Sequence, residues 1–210
     1  MKNIVIRNLI TQLLILDKGM EVFSEPVSEN VKQSLIQTIA NFGDEALIEV
    51  HSTIDTMKGR TSIISLLDVL ALIGNTDSVP VLIDIHRNYS GDSEGLAIVS
   101  ALRNIASDES YLYMVDLVNQ YSNGDFRVVS SRNEIYFACL ALGEWEDARA
   151  VESLRNALDI EFLDLMPRAA IEALAKYKDG RVYLKIATDS MPDYTTLINS
   201  ALENIDEVVK

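Results

Sequence analysis

The sequence is short of the residues that crosslink a chain, interrupt its helices or give it positive charge. It has one cysteine and four prolines, and 32 acidic residues outnumber 18 lysine and arginine residues. A single cysteine excludes a disulfide within the chain, and Cys139, in the apolar stretch YFACLAL, is predicted to be a small core side chain. The formal charge of −14 disfavours nucleic acid and anionic membrane surfaces and favours a basic protein partner.

Long apolar runs are also missing. The longest covers residues 135 to 142, far short of the ~20 residues that span a bilayer. The opening MKNIVIRNLITQLLILDKG is apolar with early positive charge, but Thr11 and Gln12 interrupt it and no A-x-A cleavage pattern follows. We therefore expect an amphipathic first helix and a cytoplasmic protein that does not associate with membranes.

What the sequence does contain is a spaced series of Ala-Leu pairs, at residues 71, 101, 141, 173 and 201. Each pair closes an apolar segment of helical periodicity, and aspartates recur near these points. An aspartate at a helix start accepts hydrogen bonds from N–H groups that lack a partner in the helix, and its charge suits the positive end of the helix dipole. Six aspartates are therefore predicted to open helices: Asp44, Asp77, Asp108, Asp147, Asp179 and Asp206.

The periodicity predicts paired helices and no strand. A first helix is expected near residues 3–16 and a last one near 193–207, with Pro167 and Pro192 in first helical turns, where a missing N–H is tolerated. The predicted pairs are 28–41 with 44–56, 60–73 with 77–88, 93–106 with 108–121, 132–143 with 147–158, and 167–176 with 179–188.

Two-helix units of ~30 to 40 residues cannot bury their apolar faces alone, and stacking them buries a continuous core. The predicted fold is therefore all-α: an α-solenoid (superhelix) of about five stacked antiparallel helix pairs with N- and C-terminal capping helices. It is predicted to be one repeat domain over residues 1–210, in which 1–27 form a capping helix and loop, 28–190 the repeats and 191–210 the last capping helix.

One connection carries a family resemblance. The stretch ALGEWEDARAVESL at 141–154 resembles the HEAT-like repeat of the phycobilin-lyase type, whose hinge runs A-L-G-x-[apolar]-x-D-x-R-A-V followed by Leu. ALAKYKDGRVYL at 173–184 and ALIGNTDSVPVL at 71–82 are similar to weaker copies. The resemblance implies that this hinge is structural, that Trp145 fills an apolar core position, and that Asp147 and Arg149 stack between neighbouring repeats.

The hinge series is uneven along the chain. Asp179 and Arg181 repeat the spacing of Asp147 and Arg149. Asp44, Asp77 and Asp108 lack the following arginine, so any ladder of Asp–Arg contacts would be incomplete toward the N-terminus.

Motifs of catalysis are weak. GDSEG at 91–95 fits G-x-S-x-G, but a nucleophile elbow needs a buried strand before the serine, and Ser93 is predicted to be a helix N-cap. The two histidines, His51 and His86, lack the further ligands of a metal site. Runs of carboxylates on so acidic a chain are typical of solvated faces. We predict no enzyme activity, no cofactor and no metal.

The expected binding surface follows from the resemblance, which places the second helix of each pair on the concave side of the array. Residues there that fall outside the apolar stripe would form an acidic socket for a basic protein. These candidates are Glu45, Glu49, Asp84, Arg87, Tyr113, Asp116, Glu152 and Arg155.

Two irregular stretches are candidate binding loops, SNGDFRVVSSRN at 122–133 and DIEFLDLMP at 159–167. They carry Phe126, Arg127, Phe162 and Asp164. Insertions in solenoids often bind partners. The alternative is that their apolar residues close the core.

Three functions are compatible with these features. The leading hypothesis is a non-catalytic protein-binding scaffold, such as an inhibitor or immunity protein for a basic partner. The alternative implied by the resemblance is a bilin-binding or lyase-like protein. A second alternative, a HEAT-like DNA glycosylase, would need a cationic groove, which the charge disfavours.

Overall fold

The computed structural model describes residues 2–20, 26–59, 61–89, 91–124, 132–158 and 165–208. These residues form twelve α-helices and no strand. The helices are α1 (Lys2–Met20), α2 (Pro26–Ala40), α3 (Asp44–Met57), α4 (Ile64–Ile73), α5 (Val79–Asn88), α6 (Asp92–Ile105), α7 (Asp108–Ser122), α8 (Arg132–Trp145), α9 (Val151–Leu158), α10 (Leu165–Ala175), α11 (Lys178–Ala187) and α12 (Thr195–Val208).

The all-α prediction is confirmed, and each predicted helix is present. Short 3₁₀ helices precede three of them, at Thr76–Ser78, Ala148–Ala150 and Pro192–Tyr194. Pro167 and Pro192 lie in first turns, as predicted. The chain divides into two compact units, Met1–Ser107 and Asp108–Lys210, so α1 to α6 belong to the first unit and α7 to α12 to the second. A single repeat domain over residues 1–210 stays a prediction.

The core of the first unit is centred on α4, whose sequence ISLLDVLALI is apolar on most of its circumference. Leu66, Leu67, Val69 and Leu70 are fully buried because α4 packs against α1, α2, α3 and α6. Such a helix needs neighbours on several sides, which explains its central place.

The core of the second unit is centred on α10, which packs against α8, α9, α11 and α12. Its buried residues are small, including Ala169, Ala170 and Ala173. Small side chains let helix backbones approach closely, and a Cβ atom added at Gly143 of α8 would stand 2.7 Å from the Cα of Ala173. Gly143 of the ALG motif therefore has a packing role.

The helix pairing agrees with the predicted one at α10/α11 and differs from it at three other pairs. Consecutive helices pack side by side at α1/α2, α3/α4 and α5/α6 in the first unit, and at α7/α8, α9/α10, α10/α11 and α11/α12 in the second. Among the described residues, the predicted pairs α2/α3, α4/α5 and α8/α9 do not pack extensively. A capping residue fixes where a helix begins, but the neighbour that a helix meets depends on distant apolar faces, which the capping series does not encode.

The predicted capping aspartates differ in where they lie relative to the helix starts. Asp147 is an N-cap whose side chain accepts a hydrogen bond from the N–H of Arg149. Asp44 and Asp108 are the first residues of α3 and α7, and Asp179 lies in the first turn of α11, so their charges stand at the positive ends of these helices.

The remaining predicted caps were wrong. Asn75, not Asp77, is the N-cap before α5, and it accepts the N–H of Asp77. Asp206 lies within α12 rather than at a helix start. Ser93 is the second residue of α6, and the N-cap there is Gly91, whose extended backbone makes the turn without a side-chain hydrogen bond.

Candidate functional site: the acidic helix connections

The connection before α9 is tied to the start of α7 by one arginine. The Arg149 guanidinium donates from Nε to both carboxylate oxygens of Asp147, at 3.0 and 2.9 Å. Its Nη2 donates to Oδ1 of Asp108 at 2.9 Å. Asp147 and Arg149 therefore pair directly, and Arg149 links the connection before α9 to the start of α7, two helices earlier.

Aromatic side chains also contact this connection. Tyr111 of α7 is buried, and its hydroxyl donates to the carbonyl oxygen of Asp147 at 3.1 Å. The Arg149 guanidinium lies 4.6 Å from the centroid of the Tyr111 ring, a cation–π contact, and the Trp145 ring is 5.9 Å from it. Trp145 is half-buried rather than a core residue. The ALGEWEDARAV stretch is thus a structural connection.

At neutral pH, Asp147 and Arg149 in this connection are charged and the Tyr111 hydroxyl keeps its proton. The hydrogen bonds that Asp147 accepts from Arg149 lower the pKa of Asp147, and the hydrogen bonds that Arg149 donates to Asp147 and Asp108 raise the pKa of Arg149. Burial, followed by the charge of Asp147, raises the pKa of Tyr111 to about 12. The Asp147 contribution to stability is therefore present above the pKa of an unfolded aspartate and is lost as the pH falls through the lower folded pKa.

The first unit has an equivalent contact made by a single side chain. Asn75 caps the turn before α5 through Oδ1 and donates from Nδ2 to Oδ1 of Asp44 at 2.6 Å. Asp44 opens α3, so this contact likewise links the turn before α5 to the start of a helix two helices earlier. Asp77 follows the capping Asn75 by two residues, just as Arg149 follows the capping Asp147 by two residues. At this position the first unit therefore has an exposed carboxylate where the second unit has a cation.

Both contacts gather acidic residues at the helix connections. We define the first acidic edge as Asp44, Glu45 and Asp77, and the second as Asp108, Glu109 and Glu146; all six are exposed. Among the described residues, Lys2 pairs with Glu45 and Arg149 with Asp108, whereas Asp77, Glu109 and Glu146 form no ion pair. Each edge therefore keeps negative charge that the described residues of its unit do not neutralise.

The predicted binding residues of the first unit have different surroundings. Glu45 is exposed and accepts from Lys2 at 2.9 Å, whereas Glu49 is only 7% exposed and accepts from Nε of Arg7 at 2.6 Å. Asp84 and Arg87 are exposed on α5, and Asp84 pairs with Lys58 at 3.0 Å. The hydrogen bond from Arg7 lowers the pKa of Glu49, and the hydrogen bond from Lys58 lowers the pKa of Asp84.

Among the predicted residues of the second unit, Tyr113 was wrongly placed on a surface. It is 4% exposed, because α7 buries a broad face rather than a narrow stripe. Asp116 is half-buried and accepts from Gln120 at 2.7 Å. Glu152 is exposed, and it accepts from Arg155 at 3.3 Å. Arg155 also lies 4.4 Å above the Tyr183 ring.

The candidate loop residues Phe126, Arg127, Phe162 and Asp164 lie outside the described residues. Asp179 and Arg181, which repeat the Asp147–Arg149 spacing, form no ion pair within the described part of the chain.

Sequence reasoning missed Asn75, although asparagine caps helices as well as aspartate does. It also missed a serine–histidine contact between His51 Nε2 and Ser78 Oγ, at 3.1 Å. Ser78 is fully buried, so its hydroxyl is closed to a substrate. Burial lowers the pKa of His51, which keeps the ring neutral at neutral pH. This contact joins α3 to the start of α5.

Within the part of the chain that the structure describes, no three His, Cys, Asp or Glu side chains are grouped so that they could hold a metal ion. None of the described helices combines the length and apolar character needed to cross a membrane. Burial raises the pKa of the Cys139 thiol to about 12, so the thiolate needed of a nucleophile is scarce.

Comparison of the chain with protein-family models, with curated proteins and with solved structures gave no match.

Proposed function

We propose that the chain is a non-catalytic protein-binding scaffold whose acidic edges bind a basic protein in the cytoplasm, in the manner of an inhibitor or immunity protein. The observation that carries the proposal is the pair of contacts, Asn75 with Asp44 and Arg149 with Asp108, that place acidic connections side by side within each unit. Clustered charge of one sign attracts an oppositely charged partner, speeds its encounter and orients it.

The proposed architecture is a HEAT-like α-solenoid. Alternate helices pack on one another within each unit, α2 on α4 and α4 on α6 in the first, α8 on α10 and α10 on α12 in the second. Stacking of this kind supports a repeat scaffold, in which the connections between helices recur along an edge.

The proposal uses a different part of the helices from the expected socket. Of the eight predicted residues, Glu45 belongs to an acidic edge, whereas Glu49 and Tyr113 are buried. The proposed contact surface is therefore centred on helix starts.

The test is an affinity purification from the host with three baits. They are the native chain, an edge variant (Asp77→Asn, Glu109→Gln, Glu146→Gln) and a control variant (Asp189→Asn, Asp193→Asn, Glu203→Gln). Both variants replace three exposed carboxylates that have no ion pair among the described residues, so the change in net charge is the same.

We expect the native and control baits to retain a basic protein at ~0.1 M salt and to lose it toward ~1 M, since the Debye length falls from ~10 Å to ~3 Å over this range. The edge variant is expected to retain much less. Equal retention by all three baits would count against the acidic edges. Retention of nucleic acid, or of a bilin, in place of a basic protein would count against the scaffold itself.

A further inference from the structure

A groove of about 310 Å³ lies between α1 and α3 in the first unit. Ile10, Leu14 and Arg7 line it from α1, and Glu49, Thr53 and Thr56 line it from α3. Its size is at the lower end of pockets that enclose small molecules, which is enough for one long side chain.

Three threonine hydroxyl groups of this groove are acceptors. Thr53 donates to the carbonyl oxygen of Glu49, and Thr56 to that of Thr53, both at 2.7 Å, while Thr11 donates to that of Arg7 at 2.8 Å. Because the protons of these three hydroxyl groups are used within their own helices, the lone pairs of the threonine oxygens remain for a ligand. Together with the Glu49 carboxylate, they make the walls suited to a ligand with several N–H donors.

The ion pair in the groove is asymmetric. The Glu49 side chain is 9% exposed, whereas the Arg7 side chain is 69% exposed and reaches the carboxylate from the solvent side. Arg7 makes this contact through Nε, at 2.6 Å, and not through the two-pronged face that guanidinium groups use to bind carboxylates most strongly. A buried carboxylate requires a cation, but this cation is held in a geometry that another guanidinium can improve.

We propose that this groove is an anchor pocket for an arginine side chain of the basic partner, which replaces Arg7 on Glu49. The methylene groups of the incoming side chain pack on Ile10 and Leu14, and its N–H groups reach Glu49 and the threonine oxygens. This inference rests on the proposed function, because it names the partner residue that the scaffold recognises.

The probe is N-acetyl-arginine amide, compared with N-acetyl-citrulline amide, which has nearly the same shape without the charge. Binding to the full chain is followed by the methyl NMR signals of Ile10, Thr53 and Thr56. We expect saturable shifts with the arginine amide, with a roughly millimolar dissociation constant for so small a ligand, and none with the citrulline amide.

Four variants separate binding from folding. Glu49→Gln is expected to abolish the shifts, and Arg7→Gln to strengthen binding several-fold, because it removes the competing cation. Thr53→Val keeps the ion pair and the shape but removes an acceptor, so it weakens binding even if the other two variants fold poorly. Glu29→Gln, at an exposed carboxylate on α2 of the same unit, is the control and is expected to leave binding unchanged.

Equal shifts with the two amides, or shifts that persist in Glu49→Gln, would overturn the pocket. The partner captured by the native chain gives a separate readout, in which Glu49→Gln is expected to lower affinity about tenfold. Capture that is unaffected by Glu49→Gln would overturn the anchor and leave the proposed function standing. Arginine-amide binding by a chain that captures no basic protein would instead overturn the proposed function and retain the pocket.

Discussion

Replacing Gly143 with alanine is expected to destabilise the protein, although the same change stabilises most helices. Gly143 lies in α8 against α10, and an added Cβ would be 2.7 Å from the Cα of Ala173 and 2.8 Å from its Cβ. Carbon atoms in contact prefer separations of about 3.5 to 4.0 Å. The two helices must therefore move apart by about 1 Å, counted from that difference.

The magnitude follows from two opposing effects. Forcing an extra carbon into a packed core costs about 1–3 kcal/mol, and the contact with the backbone of Ala173 places this change in the upper part of that range, about 2–3 kcal/mol. Alanine in place of a helical glycine returns about 1 kcal/mol. The net loss is expected to be about 1–2 kcal/mol, which for a chain of this size lowers Tm by roughly 2–8 °C.

Urea and thermal unfolding followed by far-ultraviolet circular dichroism measure this effect. Asn104→Ala, at an exposed position of α6, is the control and is expected to change stability by less than about 0.5 kcal/mol. A Gly143→Ala variant that is as stable as the native chain, or more stable, would refute the close approach of α8 and α10.

Two substitutions and one labelling experiment test single features of the fold. Ala106, which follows α6, has φ 52°, and a residue with a side chain in this left-handed conformation costs about 1–2 kcal/mol. Glycine avoids that cost but loses about 0.4–1 kcal/mol through its greater freedom in the unfolded chain, so Ala106→Gly is expected to stabilise the fold by about 0.5–1 kcal/mol in urea unfolding. A loss of stability would contradict the left-handed backbone. Burial raises the pKa of Asp68, so its ionised form weakens the fold at neutral pH. Asp68→Asn is expected to raise Tm at pH 7, by an amount that shrinks as the pH falls and the native carboxyl takes up its proton, and a gap that does not change with pH would exclude this cause. The buried Cys139 thiol is expected to react with thiol reagents slowly in native protein and rapidly in denaturant, and prompt native labelling would show that α8 opens.

The helices were predictable because their signals are local. Apolar spacing and capping chemistry act within a few residues, and every predicted helix is present. The opening turn of α5 shows the limit of this approach. Asn75 and Asp77 can each cap a helix, and the choice depends on the contact of Asn75 with Asp44, 31 residues earlier in the chain.

The site was less predictable because burial depends on distant neighbours. Glu49 has the spacing of a surface residue on α3, but Arg7 and the rest of α1 cover it. Tyr113 is buried by helices that pack on α7, which helical spacing counted along α7 alone does not reveal. Exposed carboxylates such as Glu45 were placed correctly on the surface, because they lie outside the apolar face that their helix buries.

The central claim, that the acidic edges bind the basic partner, is tested most directly by the affinity of the captured protein at several salt concentrations. Titration calorimetry would compare the native chain with the edge variant and the control variant defined above. We expect the edge variant to bind about tenfold more weakly at ~0.1 M salt and with a smaller salt dependence, and the control variant to match the native chain. Equal affinities and equal salt dependence for the two variants would contradict the claim.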